Sequence, residues 1–230
     1  MAAIHLIGGE KGGVGKSLVA RLLAQYLIDR GLPFAGFDTD RSHGALLRFY
    51  AGYATPVEVE RPDTLDPILE TAIERPDHRV LVDLAAQTQA PLLRWLAEAG
   101  AHELLDEHGV TLHCWHVMDA GRDSVDLLAK SLEAHGERVR HVLVRNQLRG
   151  DDFRLLDASP ALAQARAWGA REMTLRRLAE APAQRIDAAS LSFWAAAQAG
   201  EAGGGLGLVD RQRLKTWLRD AYAGFEQVGV

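Results

Sequence analysis

The sequence predicts an α/β fold, in which a mostly parallel, twisted sheet is covered by helices on both faces. Short apolar runs alternate with longer segments of helical periodicity, an order typical of βαβ units. A glycine-rich turn joins the first apolar run to the first helical segment, and polar side chains suited to chemistry follow several later runs. With 230 residues, of which 47% are hydrophobic and 25% charged, the chain can bury the core of a single domain.

The apolar runs predict strands, and the periodic segments between them predict helices. The strands are expected at residues 4–8, 34–38, 80–84, 111–118, 139–145 and 171–175. The helices are expected at residues 16–30, 42–50, 65–74, 90–99, 123–134, 159–168, 175–180, 188–199 and 210–228. Residues 199–205 are glycine-rich and predict a flexible loop. Residues 1–230 are therefore expected to form one domain, with the C-terminal amphipathic helix in 206–230 packed on it.

The charge and cysteine content exclude several classes of function. The formal net charge is −5, so any contact with DNA must come from a local basic patch. The single cysteine, Cys114, cannot form an internal disulfide or a cysteine-ligated cluster, and its apolar run predicts a buried, inert thiol. No apolar stretch approaches the ~20 residues that span a bilayer, and no leader peptide is evident, so a cytoplasmic protein is expected.

The histidines and tryptophans of the apolar segments are interpreted as structural. His113 and His116 lie three apart in one predicted strand, so they face opposite sides of the sheet and are not expected to bind a metal together. The tryptophans are scattered along the chain and are expected to anchor the core. They are Trp95, Trp115, Trp168, Trp194 and Trp217.

The glycine-rich turn reads Gly-Gly-Glu-Lys-Gly-Gly-Val-Gly-Lys-Ser over residues 8–17 and predicts a phosphate-binding loop. Glycines let the backbone approach an anion, and free N–H groups at the start of the next helix point toward it. Lys16 would meet the β- and γ-phosphates, and the Ser17 hydroxyl would ligate Mg²⁺. The general pattern has glycine where this chain has Glu10. The alternative is a glycine-rich turn that binds no ligand.

Polar side chains follow three other predicted strands. Asp38 and Asp40 end the second strand, Asp83 ends the third, and Asn146 follows the strand at 139–145. The carboxyl ends of parallel strands meet at one edge of a sheet, so these residues are expected near the phosphate loop. Asp83 and one of the first two acids would support Mg²⁺, while the other would orient the attacking water. Asn146 could read an adenine edge, and turn or helix-cap roles are the alternatives at all four positions.

The order of these motifs resembles that of the ParA/MinD family of ATPases, which carry a deviant Walker A loop, and within it the ParA-type partition and plasmid-maintenance ATPases. Residues 11–17 carry the signature, and the resemblance is clear over residues 1–150. It implies a P-loop NTPase fold that uses ATP and Mg²⁺. The implied nucleotide contacts are Lys11, Gly12, Gly13, Val14, Gly15, Lys16, Ser17, Leu18 and Asn146, and the implied metal ligands, partly through water, are Ser17, Asp38 and Asp83.

The same resemblance implies that nucleotide drives dimerisation. Lys11 matches the signature lysine, which reaches the phosphates held by a partner subunit in a nucleotide-sandwich homodimer. A cation supplied in trans neutralises charge at the γ-phosphate. Lys11, Lys16 and Asp40 would be the catalytic residues, with Asp40 as the hydrolytic aspartate of the first switch. Residues 84–88 would form the second switch, although they lack the proline-rich form common there.

The predicted C-terminal helix has a basic face opposite an apolar stripe. The basic residues are Arg211, Arg213, Lys215 and Arg219, and the stripe consists of Leu214, Trp217, Leu218, Tyr222 and Phe225. One interpretation is a helix packed on the domain with a solvated basic face. The other is a surface that binds DNA phosphates weakly, without sequence preference and in a salt-sensitive way.

Together these features predict a slow, partner-stimulated ATPase that partitions or positions DNA, as plasmid or chromosome, or another large cargo. Its expected partners are a second copy of the chain when ATP is bound, nonspecific DNA, and an adaptor or activating protein. The protein would be cytoplasmic or associated with the nucleoid. Two alternatives remain, a MinD-like membrane-associated positioning ATPase and an ATP-dependent synthetase or ligase on the same fold. A membrane is disfavoured because the last four residues are not basic.

Overall fold

A seven-stranded sheet forms the centre of the protein in the computed structural model, which describes residues 2–40, 44–198 and 205–230. In chain order the strands are β1 (Ala3–Gly8), β2 (Phe34–Asp38), β3 (Ala54–Pro56), β4 (Arg79–Asp83), β5 (Thr111–Met118), β6 (Arg140–Asn146) and β7 (Arg171–Leu175). Their spatial order is β3-β2-β4-β1-β5-β6-β7, and every pairing is parallel. The phosphate loop therefore follows a central strand.

Helices cover both faces of this sheet. They are α1 (Lys16–Asp29), α2 (Ala45–Phe49), α3 (Pro62–Glu74), α4 (Gln89–Glu98), α5 (Ala101–Glu107), α6 (Arg122–His135), α7 (Arg154–Asp157), α8 (Pro160–Ala167), α9 (Glu180–Ala188), α10 (Phe193–Gln198) and α11 (Leu208–Val228), with a 3₁₀ turn at Gln147–Arg149. Helices α1, α2 and α9–α11 pack on one face and α3–α8 on the other. The α/β prediction is confirmed.

Alternation along the strands explains why both faces are buried. In β1, Leu6 faces the core beneath α3–α5, while the next residue, Ile7, faces the core that contains α1 and α11. Neighbouring strand residues point to opposite faces of the sheet. A parallel sheet between two helix layers therefore needs apolar residues at odd and at even positions of each strand. The continuous apolar runs of the sequence reflect this requirement.

The strands follow the predicted boundaries closely. The segments 34–38, 111–118 and 171–175 coincide with β2, β5 and β7, and β1, β4 and β6 differ by one residue at their ends. Strand β3 was not predicted because it has three residues at the edge of the sheet and ends in a proline. Helices α5, α7 and α9 were also not predicted, and α7, with four residues, is too short for a clear 3.6-residue period.

Two predicted helices need correction. The helix at 175–180 is wrong, because Leu175 pairs with Asn146 in the sheet and the helix that follows, α9, begins at Glu180. The helix at 188–199 begins only at Phe193, because the chain turns first, with Ser190 at a φ of 50°. The helix expected at 42–50 is α2, although Ser42 lies outside the described residues. The glycine-rich loop at 199–205 also lies outside them, apart from Gly205.

Candidate functional site

The phosphate loop, residues 9–15, leaves β1 at the carboxyl edge of the sheet and enters α1. Gly9, Gly13 and Gly15 have φ values of 132°, 69° and 94°, which side-chain-bearing residues rarely adopt. A Cβ on Gly15 would also lie 2.3 Å from the Asn146 amide nitrogen, and one on Gly9 would lie 2.8 Å from the Val117 carbonyl oxygen. The glycines therefore allow both the turn and its close packing against β5 and β6.

Both lysines of the loop are engaged within the chain. The Lys16 ammonium donates a hydrogen bond to the Lys11 carbonyl oxygen at 2.9 Å, and burial lowers its pKa, although Asp83, Glu10 and Asp40 oppose that shift. The Lys11 ammonium donates to the Asp119 carboxylate at 3.1 Å. A bound phosphate would therefore raise the pKa of Lys16 back toward its usual value. Lys11, in contrast, is bonded to a carboxylate of its own subunit.

Asp119 was not singled out in the sequence, although it directly follows an apolar strand, as Asp83 ends one. Besides Lys11, its carboxylate accepts hydrogen bonds from the Ser124 hydroxyl at 2.7 Å and the Gly121 N–H at 3.1 Å. Burial alone would raise the pKa of Asp119, but these donors outweigh burial and lower it. The carboxylate is therefore a fixed anion that positions the Lys11 side chain.

Asp83 has the charge environment of a cation ligand. Both its carboxylate oxygens are buried without a hydrogen-bond partner in the described part of the chain. Burial raises its pKa to about 7, with Asp38 adding to the rise, while the nearby Ser17 hydroxyl and Lys16 oppose it. An unpaired buried carboxylate is costly unless a cation compensates it. The residues present therefore fit a magnesium ion held at Ser17 and Asp83.

Asp38 is bonded to the backbone on both sides of residues 41–43, which lie outside the described residues. Its carboxylate accepts backbone N–H groups from Asp40 at 3.0 Å, Leu46 at 2.9 Å and Leu47 at 3.2 Å, so it caps α2 from the preceding strand. Burial raises the pKa of Asp38, and these three hydrogen bonds counteract the rise. Asp38 pairs in register with Asp83 on the adjacent strand. Its role as a metal ligand stays a prediction, to which the structure adds this capping role.

Asp40 follows Asp38 by two residues, and its charge affects two groups of the phosphate site. It raises the pKa values of Lys16 and Asp83, and this places its carboxylate within electrostatic reach of both. The residue between the two acids, Thr39, was missed in the sequence. Its hydroxyl donates to the Asp83 carbonyl oxygen at 3.1 Å and accepts the Ala85 N–H at 2.8 Å. Thr39 thus joins the first switch to the start of the second.

Asn146 lies beneath the phosphate loop, buried, with both ends of its amide engaged. The nitrogen donates to the Val14 carbonyl oxygen at 2.7 Å, and the oxygen accepts the Leu148 N–H at 3.2 Å. The amide nitrogen has a second hydrogen, so base recognition by Asn146 stays a prediction. What the structure adds is that this residue supports the loop from below.

The basic residues of α11 do not form one surface. Arg211 is half-buried and donates to the Gln198 carbonyl oxygen at 3.5 Å, and Arg213 is paired with Asp210 at 2.8 Å on another side of the helix. Lys215 and Arg219 are exposed and line one groove with Arg30 and Trp194, and the same groove carries Asp29 and Glu226, the partner of Arg30. Arg213 therefore lies apart from Lys215 and Arg219, and DNA binding by the basic residues of α11 stays a prediction. Trp194 is 58% exposed, so its interpretation as a core anchor is wrong.

Known proteins resemble this chain in sequence and in fold. Protein MobD of Acidithiobacillus ferrooxidans is 27% identical over 231 residues, covering 98% of this chain and 97% of MobD. Protein TraL of Escherichia coli is 29% identical over 134 residues, covering 56% of this chain and 55% of TraL. A solved nucleotide-binding protein from Archaeoglobus fulgidus in complex with ADP superposes with a TM-score of 0.51 at 13% identity, over 100% of this chain and 93% of that one. No protein-family model matches the chain.

The structural likeness shows that the chain shares the α/β fold of the Archaeoglobus fulgidus protein.

Proposed function

We propose that this chain, which resembles the ParA/MinD P-loop ATPases in its fold and in the order of its motifs, is an ATP-dependent dimerising ATPase that positions DNA or another large cargo. The observation that carries the proposal is the unpartnered Asp83 carboxylate beside Ser17, at the foot of a loop that presents two lysines. A cation beside Asp83 would compensate its buried charge, and the glycine-rich loop above it would suit an anion. Mg²⁺ with ATP supplies both.

The nucleotide site would be completed by the ligand itself. No group of three or more His, Cys, Asp or Glu side chains that could hold a metal occurs within residues 2–40, 44–198 and 205–230. Mg²⁺ usually keeps several waters and binds through one or two carboxylates together with substrate phosphates. Ser17 and Asp83 would hold the ion, Lys16 would neutralise the phosphates, and Asp40 would orient the attacking water. Bound Mg²⁺ would offset negative charge that develops during phosphoryl transfer.

Dimerisation would exchange one ion pair for another. The Lys11 side chain is 23% exposed and paired with Asp119, so it can leave its own subunit only if that pair breaks. The Lys11 ammonium also lies 3.8 Å from the exposed Asp123 carboxylate. The phosphates of a second subunit would replace both contacts, and their concentrated negative charge would favour the exchange. ATP would therefore favour the dimer, and hydrolysis would return Lys11 to Asp119.

The cargo surface favours DNA over a membrane. The apolar stripe of α11 is buried in the core through Leu214, Trp217 and Phe225, so it is not available to a bilayer. No helix in the described ranges is long and apolar enough to cross a membrane. Lys215 and Arg219 are exposed and could contact DNA phosphates weakly. We propose nonspecific DNA as the working surface and an adaptor protein as the activator of hydrolysis.

Gel filtration of the purified chain with MgATP and with MgADP tests the dimer. We expect a dimer with ATP, a longer-lived dimer for Asp40→Ala, and none for Lys11→Ala, which should still bind nucleotide. Asp119→Asn should dimerise at a lower protein concentration, because Lys11 is released. If Asp40→Ala with ATP remains monomeric, the proposal is wrong.

The trapped Asp40→Ala dimer then serves to identify the cargo surface. Retention on random-sequence duplex DNA at 50 mM salt, lost at about 200 mM, is the expected result. Sedimentation with anionic vesicles instead would support the membrane alternative. ATP hydrolysis that requires an added small acid substrate would support a synthetase.

A further inference from the structure

Glu10 is the residue of the phosphate loop that departs from the general pattern, which has glycine five positions before Gly15. The structure shows what its side chain contacts. The Glu10 carboxylate accepts the backbone N–H of Gln89 at 3.0 Å, and Gln89 is the first residue of α4. A hydrogen bond from the phosphate loop thus fixes the helix that follows the second switch, 79 positions further along the chain.

The carboxylate of Glu10 also acts on the phosphate site itself. It is one of three acids that raise the pKa of Lys16, whose ammonium would meet the γ-phosphate. Both nucleotides would place phosphate charge near Lys16, and the γ-phosphate of ATP would add a further negative charge there, so Glu10 would be repelled more by ATP than by ADP. Two like charges at such a site repel each other by an amount that low solvation increases.

Hydrogen bonds hold both ends of the segment between Asp83 and α4, and Leu84 at its start also donates to the Ile7 carbonyl oxygen at 3.0 Å. At its start, the Ala85 N–H is bound by Thr39, which belongs to the first switch. At its end, the Gln89 N–H is bound by Glu10. Between them Gln87 has a φ of 63°, which is unusual for a residue with a side chain. Loss of the hydrogen bond to Thr39 or to Glu10 would let Gln87 relax to a commoner backbone conformation.

We propose that Glu10 is a positioning residue that makes the second switch sensitive to the γ-phosphate. Without a γ-phosphate, its carboxylate holds the N-terminus of α4 against the phosphate loop. When ATP binds, the γ-phosphate repels this carboxylate and the hydrogen bond to Gln89 is lost. The cost of that repulsion weakens ATP binding relative to ADP. This inference rests on the proposed nucleotide site, and it assigns to Glu10 the coupling between nucleotide state and α4.

Two variants separate the charge of Glu10 from its hydrogen bond. Glu10→Gln keeps an acceptor for the Gln89 N–H but removes the charge, and Glu10→Ala removes both. We expect each variant to bind MgATP about tenfold more tightly than the wild type, with MgADP affinity changed less than about twofold. Glu98→Gln, an exposed acid at the other end of α4, is the matched control and should leave both affinities unchanged.

Hydrogen exchange at the Gln89 amide reports the contact directly. In the nucleotide-free protein, this amide should exchange faster in Glu10→Ala than in the wild type, and nearly as slowly in Glu10→Gln as in the wild type. In the wild type, MgATP should accelerate its exchange while MgADP does not. Thermal unfolding of each variant confirms that it is folded.

Three results would overturn the inference. If both variants bind ATP and ADP more tightly by the same factor, Glu10 is only a general negative charge near the site. Unchanged ATP affinity in both variants, while the wild type binds both nucleotides, would remove the coupling but leave the proposed function intact. If the wild type binds neither nucleotide and Lys16→Ala behaves identically, the proposed function and this inference both fail.

Discussion

Asp83 is the residue whose environment is most at odds with its charge. A carboxyl group with a pKa of about 7 is ionised above neutral pH at a cost in folding free energy, because its oxygens are buried without partners. The folded-state pKa is raised, so the stability contribution of the protonated form is present at low pH and is lost as pH rises through about 7. The nucleotide-free protein thus carries a penalty that the bound cation would remove.

Asp83→Asn should consequently stabilise the nucleotide-free protein while impairing its chemistry. At pH 8 we expect the free energy of unfolding to rise by about 2 kcal/mol, because the unpaired charge is removed. The same variant should lose most of the stabilisation that MgATP gives the wild type. Urea unfolding with and without MgATP measures both effects, with the exposed Asp151→Asn as the control. A less stable nucleotide-free variant would contradict the assignment.

The phosphate loop itself could be predicted residue by residue, because its turn, its lysines and its serine are adjacent in the chain. The long-range hydrogen bonds around the loop could not be predicted in this way. Lys11 meets Asp119 over 108 positions, Glu10 meets Gln89 over 79, and Thr39 meets Ala85 over 46. Such pairings depend on which strands become neighbours in the sheet, and a local pattern carries no information about that order.

At the scale of elements, α11 shows how one helix serves two purposes. Its apolar stripe completes the core beside α1 and α10, as the sequence predicted. Its cations, however, divide between different sides of the helix, because 3.6-residue periodicity places Arg213 away from Lys215 and Arg219. Only these last two residues share a groove with Trp194 and Arg30, which come from other helices.

Reversing the charges of this groove should weaken DNA binding. For Lys215→Glu combined with Arg219→Glu, we expect at least a tenfold loss of affinity and a salt slope that falls by about two, one for each lost phosphate contact. Arg213→Glu is the matched control, since Arg213 already pairs with Asp210 on another side. Fluorescence anisotropy over a salt series gives both numbers. An equal effect in the control would show that only net charge matters.

The elements that the sequence did not predict share a physical cause. β3 and α7 have three and four residues, too few for either periodicity to be visible. Their conformation comes from tertiary packing, as for Leu156 of α7, which is buried against the core beneath α6 and α8. The helix wrongly expected at 175–180 has the same origin, because pairing with β6 overrides its local preference.

At the scale of the whole molecule, the sheet buries several neutral histidines. Burial lowers the pKa values of His113 and His116 to about 4 and that of His5 well below its usual value. His5 accepts the Trp115 indole N–H at 3.2 Å, which a doubly protonated ring could not do. In the unfolded chain these rings would take up protons near pH 6.5, so acid favours unfolding.

We therefore expect stability to fall as pH decreases from about 6.5 to 4, by on the order of 3 kcal/mol for each of His113 and His116. The rise in the pKa of Asp83 acts in the opposite direction over an overlapping range, so the measurement is clearest in the Asp83→Asn variant. Urea midpoints at pH 7.5, 6 and 5 give the slope. A flat profile in that variant would show that these rings are protonated in the folded protein.

The fold as a whole was predictable because its signals repeat. Six runs with strand character, each separated by a helical segment, leave few arrangements other than a parallel sheet between helices. The order of the strands was not predictable from those runs. It places β1 between β4 and β5, and this central position is what gathers the two switches, Asp119 and Asn146 around one loop.

The central position of β1 also constrains how the protein is made. The chain emerges from the ribosome N-terminus first, at about 5–20 residues per second, so β1 emerges before both of the strands that it pairs with. Its partners are residues 79–83 and 111–116, and Gly8 must wait for His116, roughly a hundred positions later. For several seconds of synthesis the strand that supports the phosphate loop is an apolar segment without neighbours.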